Sequence, residues 1–195
     1  MNIVIKKTDS QEIYYRPDTT LTKESKDFFA PNGCDVSNIS LGIAFKIDKP
    51  GKYIGRDYIN RYISTAYLTL LIHPIFNSID ESNINYKFAI NSVDNTTYLG
   101  SKLFEIGNHP SKLTISVDYC QESNFRDYKH KQIDFNIDSI IDEATECLIN
   151  ISKHTTLRIG DLLVIQLPTT LSLPSNNSVI IKGDLPQPLF CFDIK

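Results

Sequence analysis

The sequence predicts a single α+β domain, mainly β, on three observations. Short β-rich runs bounded by turn formers recur along the chain, only two segments carry helical periodicity, and 195 residues make one domain of ordinary size. Many strands with few helices imply a mostly antiparallel, curled sheet. A chain this long buries roughly 70% of its unfolded surface, so a core can form without disulfide or metal staples.

The first strands are expected at residues 3–5 and 13–16. The next, 39–47, alternates Leu41, Ile43, Phe45 and Ile47 with Gly42, Ala44 and Lys46, which sets one face on a core. A helix is expected over 56–64, where Tyr58, Ile59, Tyr62 and Ile63 make one apolar stripe. Strands follow at 66–72, 86–90 and 113–119, with an Asn- and Ser-rich connection at 77–85. The longest helix is expected over 138–152. Asp138 is its N-cap, Asp142 and Glu143 lie near the N-terminal end, and Ile140, Ile141, Ala144, Leu148 and Ile151 form the buried stripe. A turn through Gly160 leads into the strand 162–167. After a loop at 175–178, strands at 179–182 and 189–194 complete the set.

Composition narrows the function classes. Apolar residues at 41% and charged residues at 22% describe a soluble globular chain. A net charge of -3 lacks the basic footprint of general nucleic-acid binding. No apolar run is long enough for a membrane-spanning helix, and the stretch 1–7 is too short for a signal-peptide core. Cys34, Cys120, Cys147 and Cys191 are scattered without metal-site or disulfide spacing, so reduced thiols in the cytoplasm are expected. Gly is scarce, at 8 residues where average usage gives about 14.

A series of short pieces then resembles the fumarylacetoacetate hydrolase family. Ile13-Tyr14-Tyr15-Arg16-Pro17-Asp18 is similar to its "aromatic, basic, Pro, Asp/Ser" strand. Phe29-Ala30-Pro31, the strand 40–47, Pro50-Gly51-Lys52, Arg61-Tyr62, Asp94 and Leu99-Gly100 follow in family order. Phe135-Asn136-Ile137-Asp138, Thr156-Leu157-Arg158-Ile159-Gly160-Asp161 and the terminal Leu189-Phe190-Cys191-Phe192-Asp193 complete it, so the likeness spans 13–195. The resemblance implies one domain over 1–195, a rolled mixed β-sheet with flanking helices, and a homodimer. It also implies cleavage or isomerisation of small oxo acids at a bound Mg²⁺ or Mn²⁺, held by hard carboxylate oxygens.

Carried over position by position, the family's Glu-x-Glu pair falls on Ser40 and Gly42, and its third ligand, an Asp, on Leu71. A family Lys falls on Asn91. Asp94 matches, and Ile165-Gln166-Leu167-Pro168 stands where the family keeps Thr-Gly-Thr-Pro. The N-terminal lid with its general-base His has no counterpart between 1–7 and 13–18. No metal cofactor is therefore expected. Arg16 and Asp94 are the matched polar positions left, either as a relic pocket for a small acid or as a structural ion pair.

The remaining motifs have plainer readings. His73-Pro74 and His109-Pro110 read as strand-end and turn residues, His130 as part of a solvated charged run over 126–131, and His154 as a helix C-terminal charge. Asp118, Cys120 and Glu122 read as a solvated strand end rather than a metal site, and no Gly-x-Ser-x-Gly elbow is present. The expected function is a non-catalytic family member with an interaction or regulatory role, as a homodimer or beside an active relative. The alternative is an enzyme with a rebuilt, metal-independent site for a small oxo acid.

Overall fold

The computed structural model describes residues 1–8, 10–23, 25–76, 84–121, 129–175, 177–183 and 189–195. Its larger sheet has seven strands in the order β2-β1-β9-β4-β5-β6-β3. In chain order these are β1 (Asn2–Lys7), β2 (Ile13–Pro17), β3 (Leu21–Thr22), β4 (Cys34–Ile47), β5 (Ile63–Phe76), β6 (Thr97–Glu105) and β9 (Leu162–Pro174). The pairs β1–β9 and β3–β6 are parallel and the others antiparallel, which makes the sheet mixed. Its two edge strands, β2 and β3, are joined by one 3-10 turn, Asp18–Thr20, so the sheet curls into a nearly closed roll. The second sheet, β11-β10-β7-β8, is antiparallel: β7 is Lys112–Gln121, β8 Lys129–Asn136, β10 Asn177–Lys182 and β11 Phe190–Ile194.

Alternation along β4 sorts the core. Ile39, Leu41, Ile43 and Phe45 join the larger cluster, which also holds Ile115, Val117, Val179 and Phe192 of the second sheet. Ala44, on the opposite face, packs inside the roll with Ile3, Ile5, Leu71, Leu162 and Val164. Helix α2 (Ile137–His154) lays Ile140, Ala144, Leu148 and Ile151 on the larger cluster, as its periodicity predicts. Its N-cap is Asn136 rather than Asp138: the Asn136 side chain accepts the Ser139 N–H at 3.2 Å, and Asp138 falls in the first turn.

Two expected elements change type. Residues 86–90 lie in helix α1 (Ile84–Ser92), because both sides of β5 are already taken by β4 and β6. As a helix, the segment turns Tyr86 back onto β5, edge-on to Phe76 at 6.2 Å, and leaves Phe88 75% exposed. The expected helix over 56–64 is a 3-10 turn, Arg56–Arg61, because Ile63 opposite Ile47 already starts β5. Residues 129–131 open β8, an edge strand whose exposed lysines resist further pairing. β9 runs on through Pro168, where a register shift opposite Ser40/Gly42 relieves the ladder of a missing N–H. Among the described residues, no helix is long and apolar enough to cross a membrane.

Candidate functional site

One end of the roll opens into a cleft of about 380 Å³. Its walls come from strand ends: Lys7 of β1, Tyr14 of β2 with Glu12 just before it, Asn38 and Ser40 of β4, His73 of β5 and Gln166 of β9, with Lys87 and Asn91 of α1 across the mouth. Register explains the convergence, since Asn38 lies opposite His73 and Ser40 opposite Leu71.

Arg16 lies behind this wall, 1% exposed. It reaches from edge strand β2 across the seam of the roll. One terminal nitrogen donates to the Thr96 carbonyl at 2.8 Å and to Thr97 Oγ1 at 3.1 Å. The other donates to the Ile72 carbonyl and to His73 Nδ1, both at 2.9 Å. The side chain thus staples β2 to the β5–β6 pair and replaces the ladder the roll never completes. Among the described residues no carboxylate pairs with it, and burial lowers its pKa.

A guanidinium has only donors, so His73 Nδ1 must accept and its proton sits on Nε2. Burial first, then the charges of Arg16 and Lys7, hold the imidazole pKa well below its ordinary value. His73 is therefore neutral near pH 7, with Nδ1 occupied and Nε2 enclosed without a partner among the described residues. Beside it, the Tyr14 hydroxyl donates to Gln166 Oε1 at 2.7 Å, and Gln166 Nε2 donates to Ser40 Oγ at 3.0 Å. Burial raises the Tyr14 pKa to about 12, so it stays a neutral donor. Lys7 pairs with Glu12 at 2.8 Å. The side chains of Asn38, Asn91 and Lys87 have no hydrogen-bond or ion-pair partner among the described residues.

Solved structures share this architecture end to end. A fumarylpyruvate hydrolase from Pseudomonas aeruginosa, solved with Mn²⁺ and pyruvate, superposes with a TM-score of 0.73 at 12% identity, covering 100% of this chain and 89% of that one. A fumarylacetoacetate hydrolase family protein from Yersinia pestis CO92 gives 0.72 at 15% identity, over 100% and 92%. The chain has the fumarylacetoacetate hydrolase-like fold. A 5-carboxymethyl-2-hydroxymuconate delta-isomerase from Mycobacterium smegmatis shares it at 0.69 and 13% identity, over 98% and 74%. No family model and no curated protein matches the chain.

Within that fold, the three positions assigned to metal ligands come to adjacent places but not to one cleft. Ser40 faces the cleft, whereas Leu71 is fully buried in the inner cluster. Gly42 is packed against β9: a Cβ there would sit 2.9 Å from Val164 Cγ1 and 3.0 Å from the Ile165 carbonyl. On β4 and β5 the polar positions that do open onto the cleft are Asn38, Ser40 and His73, two residues nearer the mouth on each strand. The described residues do not fit Mg²⁺ or Mn²⁺: the one carboxylate among them that lines the cleft, Glu12, pairs with Lys7. The described residues hold no cluster of three His, Cys, Asp or Glu, and a buried cation hydrogen-bonds the one histidine of the cleft.

Arg16 and Asp94 do not form an ion pair: Asp94 is exposed on the turn after α1, while Arg16 spends its terminal nitrogens on β5 and β6. Asn91 lines the cleft, and Leu167 is buried in the larger cluster. His109 lies outside the cleft, between the Ile106 carbonyl at 2.6 Å and Asp138 at 2.9 Å. The Asp138 hydrogen bond is the first cause of its raised pKa. His130 and Lys182 both bond Asp118, and His154 closes the last turn of α2. Cys120 is buried, while Glu122 and Arg126 lie outside the described residues. The sequence reading missed Asn38 and Lys87. The polar side chain of Asn38, two before Ser40 and so on the same strand face, was the available signal.

Proposed function

We propose that this chain is a non-catalytic member of the fumarylacetoacetate hydrolase family, acting in the cytoplasm as an interaction or regulatory protein, as a homodimer or beside an active relative. The observation that carries the reading is the wall of the cleft. Where that chemistry needs a set of carboxylates around a cation, the described residues offer one, Glu12, paired with Lys7, beside a neutral Tyr14–Gln166–Ser40 hydrogen-bond chain and a histidine held neutral by Arg16. Leu71 fills the inner cluster, and Gly42 has no room for any side chain.

Two measurements on the pure protein test this reading. Equilibrium dialysis against Mn²⁺ and a spectrophotometric assay of acylpyruvate cleavage are expected to show neither stoichiometric metal nor turnover above the buffer rate. Metal bound one to one together with metal-dependent cleavage would refute it. Light scattering is expected to give the mass of a dimer, and a monomer at micromolar concentration would remove the homodimer.

A second reading, a metal-independent enzyme for a small oxo acid, is favoured by one observation. The cleft is open, and Asn38, Asn91 and Lys87 enter it without partners among the described residues. Under that reading Arg16 adds positive charge from behind the His73 ring, and Asp94 stands on the turn beyond Asn91. Metal-free turnover of an acylpyruvate, lost in Lys87→Met, would select it.

A further inference from the structure

At its other end the roll opens into a second, larger cavity of about 700 Å³, within the usual range for small-molecule pockets. We propose that this cavity binds an amphipathic monoanion, an aliphatic chain carrying one carboxylate head. The site is distinct from the cleft and independent of the metal question: Ile5, Ala44, Leu71 and Val164 pack the roll between them. From Ser40 at the cleft to Lys46 at this cavity is six residues of β4, roughly 20 Å of strand.

The walls are apolar. Leu162 and Phe190 are buried beneath the cavity, while Leu21, Tyr67, Leu99 and Leu189 are only partly covered and face it. Partly covered apolar side chains around a concavity leave surface that an aliphatic chain removes from water, at about 25 cal/mol per Å².

The charge is one-sided. Strand alternation puts Ser40, Gly42, Ala44 and Lys46 on the inner face, so Lys46 is an inward-facing cation at the end of an otherwise uncharged row. Lys46 lies opposite Leu162, which lets its stem follow the apolar wall while its ammonium stays at the rim. Lys23 lines the same cavity, and among the described residues no Asp or Glu lines it and neither lysine has an ion-pair partner. An apolar floor under two cations that no described carboxylate pairs complements an anion with an aliphatic tail. A neutral lipid would leave the lysines unmatched, and a compact inorganic anion would leave the walls wet.

The test is calorimetric titration of the full chain with decanoate, and with decanol as the uncharged arm. Saturable one-to-one binding of decanoate, tighter than decanol, is expected. Lys46→Gln should weaken decanoate about threefold to fivefold and leave decanol unchanged, as loss of one partly exposed ion pair does. Leu99→Gln should weaken both ligands. Both lysines are exposed, so the Lys46→Gln and Lys23→Gln variants remain folded whatever the wall substitution does. Absence of saturable decanoate binding would overturn the proposal, as would affinity indifferent to both lysine variants. Concentration-dependent self-association that Leu99→Gln abolishes, with no decanoate bound, would overturn it in favour of a second copy of the chain.

Discussion

Replacing Arg16 with methionine keeps a long apolar stem and removes every donor from the seam of the roll. Four hydrogen bonds are lost, to the Ile72 and Thr96 carbonyls, Thr97 Oγ1 and His73 Nδ1, at 2.8 to 3.1 Å. Bonds from a charged donor contribute about 1.5–3 kcal/mol each, so together they are worth on the order of 6–12 kcal/mol. Against this stands the desolvation of a guanidinium without a carboxylate partner, several kcal/mol, which the substitution relieves. The Thr96 carbonyl also keeps the Ile72 N–H at 2.8 Å. The expected net loss is about 3–5 kcal/mol. With a urea slope of about 2 kcal/mol per molar, the midpoint falls by roughly 1.5–2.5 M. Urea unfolding followed by circular dichroism reads this directly, and Arg16→Lys should fall between, since one ammonium cannot span the same acceptors. A midpoint within about 0.3 M of the unsubstituted protein would refute the idea that Arg16 closes the roll.

Three further outcomes follow from the same geometry. Gly42→Ala should cost about 1–3 kcal/mol, because the new Cβ meets Val164 and the Ile165 carbonyl at 3.0 Å or less; an unchanged thermal midpoint would contradict this. His73 has a depressed folded-state pKa, so between that value and about 6.5 the unfolded chain binds more protons and stability falls as pH falls. His73→Gln removes that dependence, and the stability gap between the two proteins should narrow on acidification from pH 7; a gap that widens would reverse the sign. Asn136→Ala should lower stability by about 1 kcal/mol through loss of the α2 cap, whereas Asp138→Ala should not lose a cap, a contrast that chemical denaturation resolves.

The core was the part most legible in the sequence. Leu41, Ile43 and Phe45 alternate on β4, and Ile140, Ala144, Leu148 and Ile151 recur at helical spacing, so both faces could be read from period alone. Residues 86–90 show the limit of that method: Tyr86, Phe88 and Ile90 alternate like a strand. Only the occupancy of both sides of β5 makes them a helix.

The cleft was legible in place but not in register. Ser40 and Gln166 were expected near it and do line it. The β4 and β5 positions that accompany them are Asn38 and His73 rather than Gly42 and Leu71. How far a strand end projects beyond its neighbours depends on the register shift at Ser40/Gly42, which no local pattern encodes. Arg16 was singled out as a polar landmark, yet two of its partners are backbone carbonyls far away in the chain, and carbonyls leave no mark in a sequence. The scarcity of glycine sharpens in the same way. Gly42 packs closely against β9, and Gln166, where the resemblance implies a small residue, supplies an amide that ties Tyr14 to Ser40.

The proposed non-catalytic role requires that the cleft bind neither Mg²⁺ nor Mn²⁺. Calorimetric titration of Mn²⁺ into the pure protein, in the presence and absence of oxalate, tests that claim most directly. No saturable heat at millimolar Mn²⁺ is the predicted result. One equivalent bound at micromolar affinity, with acylpyruvate cleavage appearing at the same stoichiometry, would contradict it.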